Sequence, residues 1–235
     1  MTAHPRTRTT GLATATLLAL AGLLAWDGLG LDLALGHGFG GANGFALREH
    51  WLFSRVLHQG ARFVSWALVL WLCLAIWWPA GWLRRIRPDE RLQLAFTALF
   101  AASVVALLKS YSATSCPWEL AEFGGKAHYV SHWRWGEADG GSGRCFPAGH
   151  ASTGFAFVGG YFALRRSAPR AARYWLAMAL GAGLLLGAVQ QVRGAHFMSH
   201  TLWTGWLCWL TAWGLDTLWA NARRRRQVLV PLGTH

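Results

Sequence analysis

Arg144-Cys145-Phe146-Pro147-Ala148-Gly149-His150-Ala151-Ser152 is the stretch on which the reading of this chain turns. It stands where a polar loop ends and an apolar run begins. Proline is poorly tolerated inside a helix but suits its entrance. Pro147 therefore predicts a helix start, with His150 in the first turn. Gly149 lets a ligand come close to the backbone. The first turn also has free N–H groups and favours negative charge. A junction of this kind, holding Arg144, Gly149 and His150, predicts an anion site, above all for a phosphate.

Working outward, the chain has 235 residues, 54% of them hydrophobic and 14% charged, with 16 Trp. That is too apolar for an ordinary soluble domain. The net charge of +12 is carried largely by short arginine clusters between apolar runs. This is the membrane pattern and not a nucleic-acid face. No linker or repeat divides the chain, so a single domain over 1–235 is expected.

The apolar runs predict an all-α, six-span transmembrane bundle. The expected spans are about 11–26, 63–82, 92–108, 150–164, 174–192 and 200–218, most of them near the ~20 residues that cross a bilayer. A cleaved signal peptide is the alternative for the first, but no clear small-x-small site follows it. Residues 27–57 read as an external segment, partly an amphipathic helix on the membrane with Trp51, Leu52, Phe53 and Val56. Arginine clusters at 84–91, 165–173 and 223–226, with Arg6 and Arg8, predict cytoplasmic loops and termini. That assignment puts 14 of the 22 Lys and Arg inside. The long loop 110–146 then faces outward, an extracytoplasmic active-site loop that in a bacterial inner membrane faces the periplasm.

This topology brings Lys109, His150, Arg193, His196 and His200 to one membrane depth, although Lys109 and His196 flank His150 by 41 and 46 positions. Ionisable groups at that depth are costly and often functional; interfacial snorkelling is the bland alternative. The set suits phosphoryl transfer, in which charge on the equatorial oxygens is stabilised by placed cations. Lys109, Arg144 and Arg193 supply donors. One histidine can attack phosphorus, and another can protonate the leaving oxygen.

These residues resemble the three motifs of the type-2 phosphatidic acid phosphatase superfamily over about residues 90–220. The first motif is Lys, six residues, then Arg-Pro; here Lys109 precedes Cys116-Pro117. The second is Pro-Ser-Gly-His; here it is Pro147-Ala148-Gly149-His150. The third ends in His, three residues, then Asp; here His196 and His200 keep that spacing. The resemblance implies a lipid phosphate phosphatase with no metal and no cofactor. Lys109 would bind phosphate, His150 would act as general acid and His196 as nucleophile.

The departures carry their own expectations. Cys116, Ala148, Gln190 and His200 stand where the motifs have Arg, Ser, Arg and Asp. Arg193 and Arg144 would replace the missing guanidiniums. His200, or else Glu119, would take the part of the carboxylate that orients the nucleophile. Cys116 and Cys145 flank the outer loop, and in an oxidising compartment a disulfide between them is expected. Trp118, Trp133, Lys126 and Arg134 in that loop suit a lipid headgroup, or simple anchoring. The expected substrate is a lipid-linked phosphate or diphosphate. Alternatives are a lipid-to-lipid phosphotransferase, for example onto lipid A, a metal or haem protein, and a non-catalytic relative.

Overall fold

The computed structural model describes residues 5–229, with side chains described for 10–225. The Arg6, Arg8 and Arg226 side chains therefore lie outside the described residues. Among the described residues the regular structure is helical, apart from one short hairpin. Helix α1 (Pro5–Gly28) ends at Gly30, whose positive φ of 63° turns the chain into α2 (Leu31–His37). The hairpin follows, β1 (Gly40–Gly41) against β2 (Gly44–Phe45). A π-helix, Leu52–Gly60, then runs directly into α3 (Ala61–Leu74).

Proline sets the next starts. Pro88 opens α4 (Pro88–Ser110), where Glu90 accepts the Arg87 N–H at 3.3 Å. Pro169 opens α7 (Pro169–Val192). Between them lie α5 (Gly149–Phe155), a 3-10 turn (Ala156–Val158) and α6 (Gly159–Leu164), which together form one short helical rod. Helix α8 (Met198–Leu229) closes the fold.

Four helices are long and apolar enough to cross a membrane: Thr10–Gly28, Leu52–Leu74, Pro88–Ser110 and Pro169–Val192. Two of the six expected spans are not among these four helices. The rod from Gly149 to Leu164 reaches only about 24 Å, short of the ~30 Å hydrocarbon core. Helix α8 has the length, but it is less apolar along its sequence, with His200, Thr201, Thr204 and Asp216 turned into the bundle. The second long helix also differs from its expected bounds. It begins eleven residues earlier, and Trp51–Val56 form its entrance rather than a separate interfacial helix. It ends by Leu74, before Pro79 and the positive-φ Gly81.

The rod is the centre of the packing. Its residues are almost all buried, against α4, α7 and α8. Small residues let the backbones approach. A Cβ on Gly154 would meet the Gly183 backbone N at 2.3 Å. At the end away from Lys109, buried Asp216 accepts bonds from Arg165 (2.7 Å), Arg166 (2.8 and 3.0 Å) and the Gln93 amide (3.0 Å). That cluster ties α4, α8 and the start of the α6–α7 turn together.

Gly154→Ala should therefore destabilise the protein by about 1–3 kcal/mol through overpacking. Gly181→Ala, on the same α7 and with nothing within 4 Å of its new Cβ, should not. Thermal melting of the two variants in detergent checks this, and equal melting temperatures would refute the close contact.

Candidate active site

Three chain junctions meet at one end of the bundle. Lys109 sits in the last turn of α4, and its stem lies along Gly149: a Cβ there would be 3.4 Å from Lys109 Cδ and 3.9 Å from Nζ. A Cβ at 149 would sit in van der Waals contact with the lysine stem. His150 follows in the first turn of α5, its ring centroid 6.4 Å from that of His196. The His200 ring is 5.9 Å from His196. The Lys109 charge acts on all three histidines.

The turn between α7 and α8 is built to hold His196. The Gln190 carbonyl accepts the N–H groups of Ala195 (2.8 Å) and His196 (3.3 Å). Gly194 takes a φ of 73°, and a Cβ there would collide with Phe45. Arg193 is buried, donating through Nε to the Arg48 carbonyl (2.9 Å) and through Nη1 to Gln190 Oε1 (3.3 Å). So Gln190, at the expected arginine position, holds the arginine three residues on. Trp118 donates its N–H to Gly194 O and carries the Arg48 guanidinium 4.6 Å above its ring.

Cys116 and Cys145 are joined as a disulfide, closing the long loop upon the site. Cys145 Sγ lies 3.3 Å from His196 Nδ1. A disulfide sulfur has no hydrogen to give and is a weak acceptor. The contact therefore favours the proton on Nδ1 and leaves Nε2 with a lone pair. The Cys145 carbonyl accepts from His200 Nδ1 at 3.0 Å. His200 is thus oriented by the loop backbone and makes no hydrogen bond to His196. The two sulfurs and His196 cluster within 4.8 Å; bonded to each other, the sulfurs offer no thiolate to a metal.

Two expected residues stand elsewhere. The Glu119 carboxylate accepts from the backbone N–H groups of Cys116 (2.9 Å) and Ser142 (3.3 Å), so it caps its own loop and does not orient His196. Arg144 is exposed next to the disulfide. Its N–H donates to Ser112 O, and its guanidinium makes no ion pair or hydrogen bond among the described residues.

Sequence reasoning missed several neighbours. His58, on the π-helix, meets His150 Nε2 to Nε2. Asp32 is buried on α2, accepting from Ser199 N (3.0 Å), from Ser199 Oγ and from Trp26 Nε1 (2.9 Å). It thereby fixes the start of α8 between His196 and His200, and burial holds its carboxyl above the usual range. Asp27 accepts from Trp133 (3.0 Å) and Trp203 (2.8 Å), with His132 Nε2 3.3 Å away. The signal available was two carboxylates, Asp27 and Asp32, inside an otherwise apolar run.

A cavity of about 440 Å³ opens beside the cluster, between α3, α4 and α5. Lys109, Gly149, His150 and Arg62 line part of it, and Trp66, Val69, Leu99 and Phe157 make an apolar wall.

Burial, followed by the Lys109 charge, pushes His196 well below the usual histidine range. Below about pH 6.5 the unfolded chain binds a proton that the folded chain refuses. Stability is therefore full above that pH and falls beneath it, by up to about 1.4 kcal/mol per pH unit. The fall in melting temperature from pH 7 to 5.5 should be shallower in His196→Asn, and an unchanged slope would count against this burial. Removing the crosslink by Cys116→Ser should cost about 3 kcal/mol in the chain-entropy view; equal melting of variant and oxidised wild type would contradict it.

The PAP2 superfamily model matches residues 90–225, more than half of the chain. No curated protein matches the chain, and no solved structure does. The matched stretch holds Lys109, His150, His196, His200 and the disulfide, and with the family comes phosphatase-type activity on phosphate esters. The chain belongs to the PAP2 superfamily, the type-2 phosphatidic acid phosphatases.

Proposed function

We propose that the protein is a six-span membrane phosphatase that hydrolyses a lipid-linked phosphate or diphosphate at the outer leaflet, through a phosphohistidine. The supporting observation is that Lys109 and His150 line the polar part of a cavity with an apolar wall, with the buried His196 ring 6.4 Å from that of His150. A phosphate there faces cations, while an acyl or prenyl chain lies along Trp66, Val69 and Leu99.

In this reading Lys109 and Arg193 bind the phosphoryl oxygens, and the backbone at Gly149 approaches them closely. The Nε2 lone pair of His196 attacks phosphorus. As the N–P bond forms and the P–O bond breaks, the leaving oxygen takes a proton from His150. Water then attacks phosphorus, the N–P bond breaks, and the proton of the water returns to His150. His200 holds the Cys145 carbonyl in place, and Arg144 offers charge to the headgroup at the surface. The arginine clusters support a reading in which both termini are cytoplasmic and this end faces the periplasm of a bacterial inner membrane.

Purified protein in detergent with EDTA should release phosphate from lipid phosphates. His196→Ala should abolish release, and His150→Ala should lower it about 10²–10⁴-fold. Lys109→Ala should cost about 10²-fold in kcat/KM. Loss of release in EDTA would overturn the metal-free mechanism. Label passing between lipids with no phosphate released would assign a transferase instead.

A further inference from the structure

His58 lies outside the residues that the family model matches, yet its Nε2 meets Nε2 of His150. Its placement is specific. It stands on a nine-residue π-helix, Leu52–Gly60, which carries the chain from the Arg48 region into α3. Long π-helical stretches are rare, and π-turns concentrate at functional sites. The segment is also tied to the catalytic turn: the π-helix packs against α7, and the Arg48 carbonyl holds Arg193. The remaining charges around the pair are Arg62 from α3, Lys109 from α4 and Arg193 from the α7–α8 turn.

Two ring nitrogens in contact hold one proton between them, one donating and the other accepting. Three neighbouring cations oppose a second proton on the pair. The tautomers of the two rings are therefore linked. When His58 Nε2 accepts, His150 carries its hydrogen on Nε2. Once a bound phosphate offsets the neighbouring cations, His150 also holds a proton on Nδ1, and this imidazolium gives the Nε2 hydrogen as general acid and becomes neutral.

We propose that His58 is a positioning residue for His150, holding the acid's proton on Nε2 until the leaving oxygen of the substrate takes the place of His58. This rests on the reading of His150 as general acid. The proton passes from His150 Nε2 to the leaving oxygen and is restored by water in the second step, so His58 gains and loses none overall.

The test uses a leaving group that needs the acid and one that does not. Full-length protein in detergent is given a long-chain alkyl phosphate, whose alkoxide must be protonated, and p-nitrophenyl phosphate, whose anion leaves unaided. His58→Ala should lose about tenfold or more on the alkyl phosphate, a small part of the ~10²–10⁴ that a general acid supplies, and less than about twofold on the aryl ester. His58→Gln, whose amide oxygen accepts the same N–H, should recover most of the loss. His150→Ala should show the same discrimination, more strongly. Melting curves matching wild type would show that the variants fold. An equal loss on both substrates, no loss at all, or no rescue by glutamine overturns the proposal while leaving His150 as the acid. If His150→Ala fails to discriminate, or wild type releases phosphate from neither ester, the general-acid reading falls and takes the proposal with it.

Discussion

The bond between Cys116 and Cys145 is the constraint on which the site depends. It folds the longest loop of the chain onto the helix ends, and Cys145 then serves both inner histidines. Its sulfur faces Nδ1 of His196, and its carbonyl faces Nδ1 of His200. Around the bond the loop supports itself. Glu119 caps the residues on either side, and buried Asp139 accepts from Ser115 N (2.6 Å), Ser115 Oγ (2.7 Å) and Gly141 N (3.0 Å). A loop so braced presents a fixed surface to the histidines. An oriented imidazole needs such a surface when no carboxylate is there to hold it.

The site also sets burial against charge. His196 and His200 are almost wholly shielded from solvent, and Lys109 stands near them without a carboxylate partner among the described residues. Burial alone opposes ionisation of an imidazole, and a neighbouring ammonium opposes it further. Such a site is poor in negative charge and poor in water. An arriving phosphate supplies what the protein leaves out, and the cations meet it in surroundings where their attraction is little screened.

Much of this was legible in the sequence, and what was not has a physical reason. The Pro147–His150 junction marks a helix start through local sterics and could be read directly, whereas the apolar runs set the expected starts at 92 and 174, a few residues after the prolines that open α4 and α7. Lys109, His150 and His196 stood out because ionisable groups interrupt apolar runs. The pairs His58–His150 and Asp32–Ser199 are 92 and 167 positions apart, and no local spacing encodes them. Glu119 was misassigned because proximity to motif residues does not say which donors a carboxylate finds; here backbone amides of its own loop came first. The Trp51–Val56 segment reads as an interfacial helix because its exposed apolar residues sit beside Arg55. In the fold those residues begin a long helix, and several of them face outward.

The rod that starts at Gly149 is short and is enclosed by α4, α7 and α8. Lipid exerts its forces on a helix through the surface that the two share. A thicker or thinner membrane acts by tilting exposed helices or by deforming around their ends. Those forces fall here on the outer helices, which carry the exposed Phe63, Trp66, Tyr174 and Met178. His150 is mounted on an element that the neighbouring helices almost wholly enclose. Its position is thereby mechanically insulated from bilayer thickness, while Lys109, on the partly exposed α4, is not.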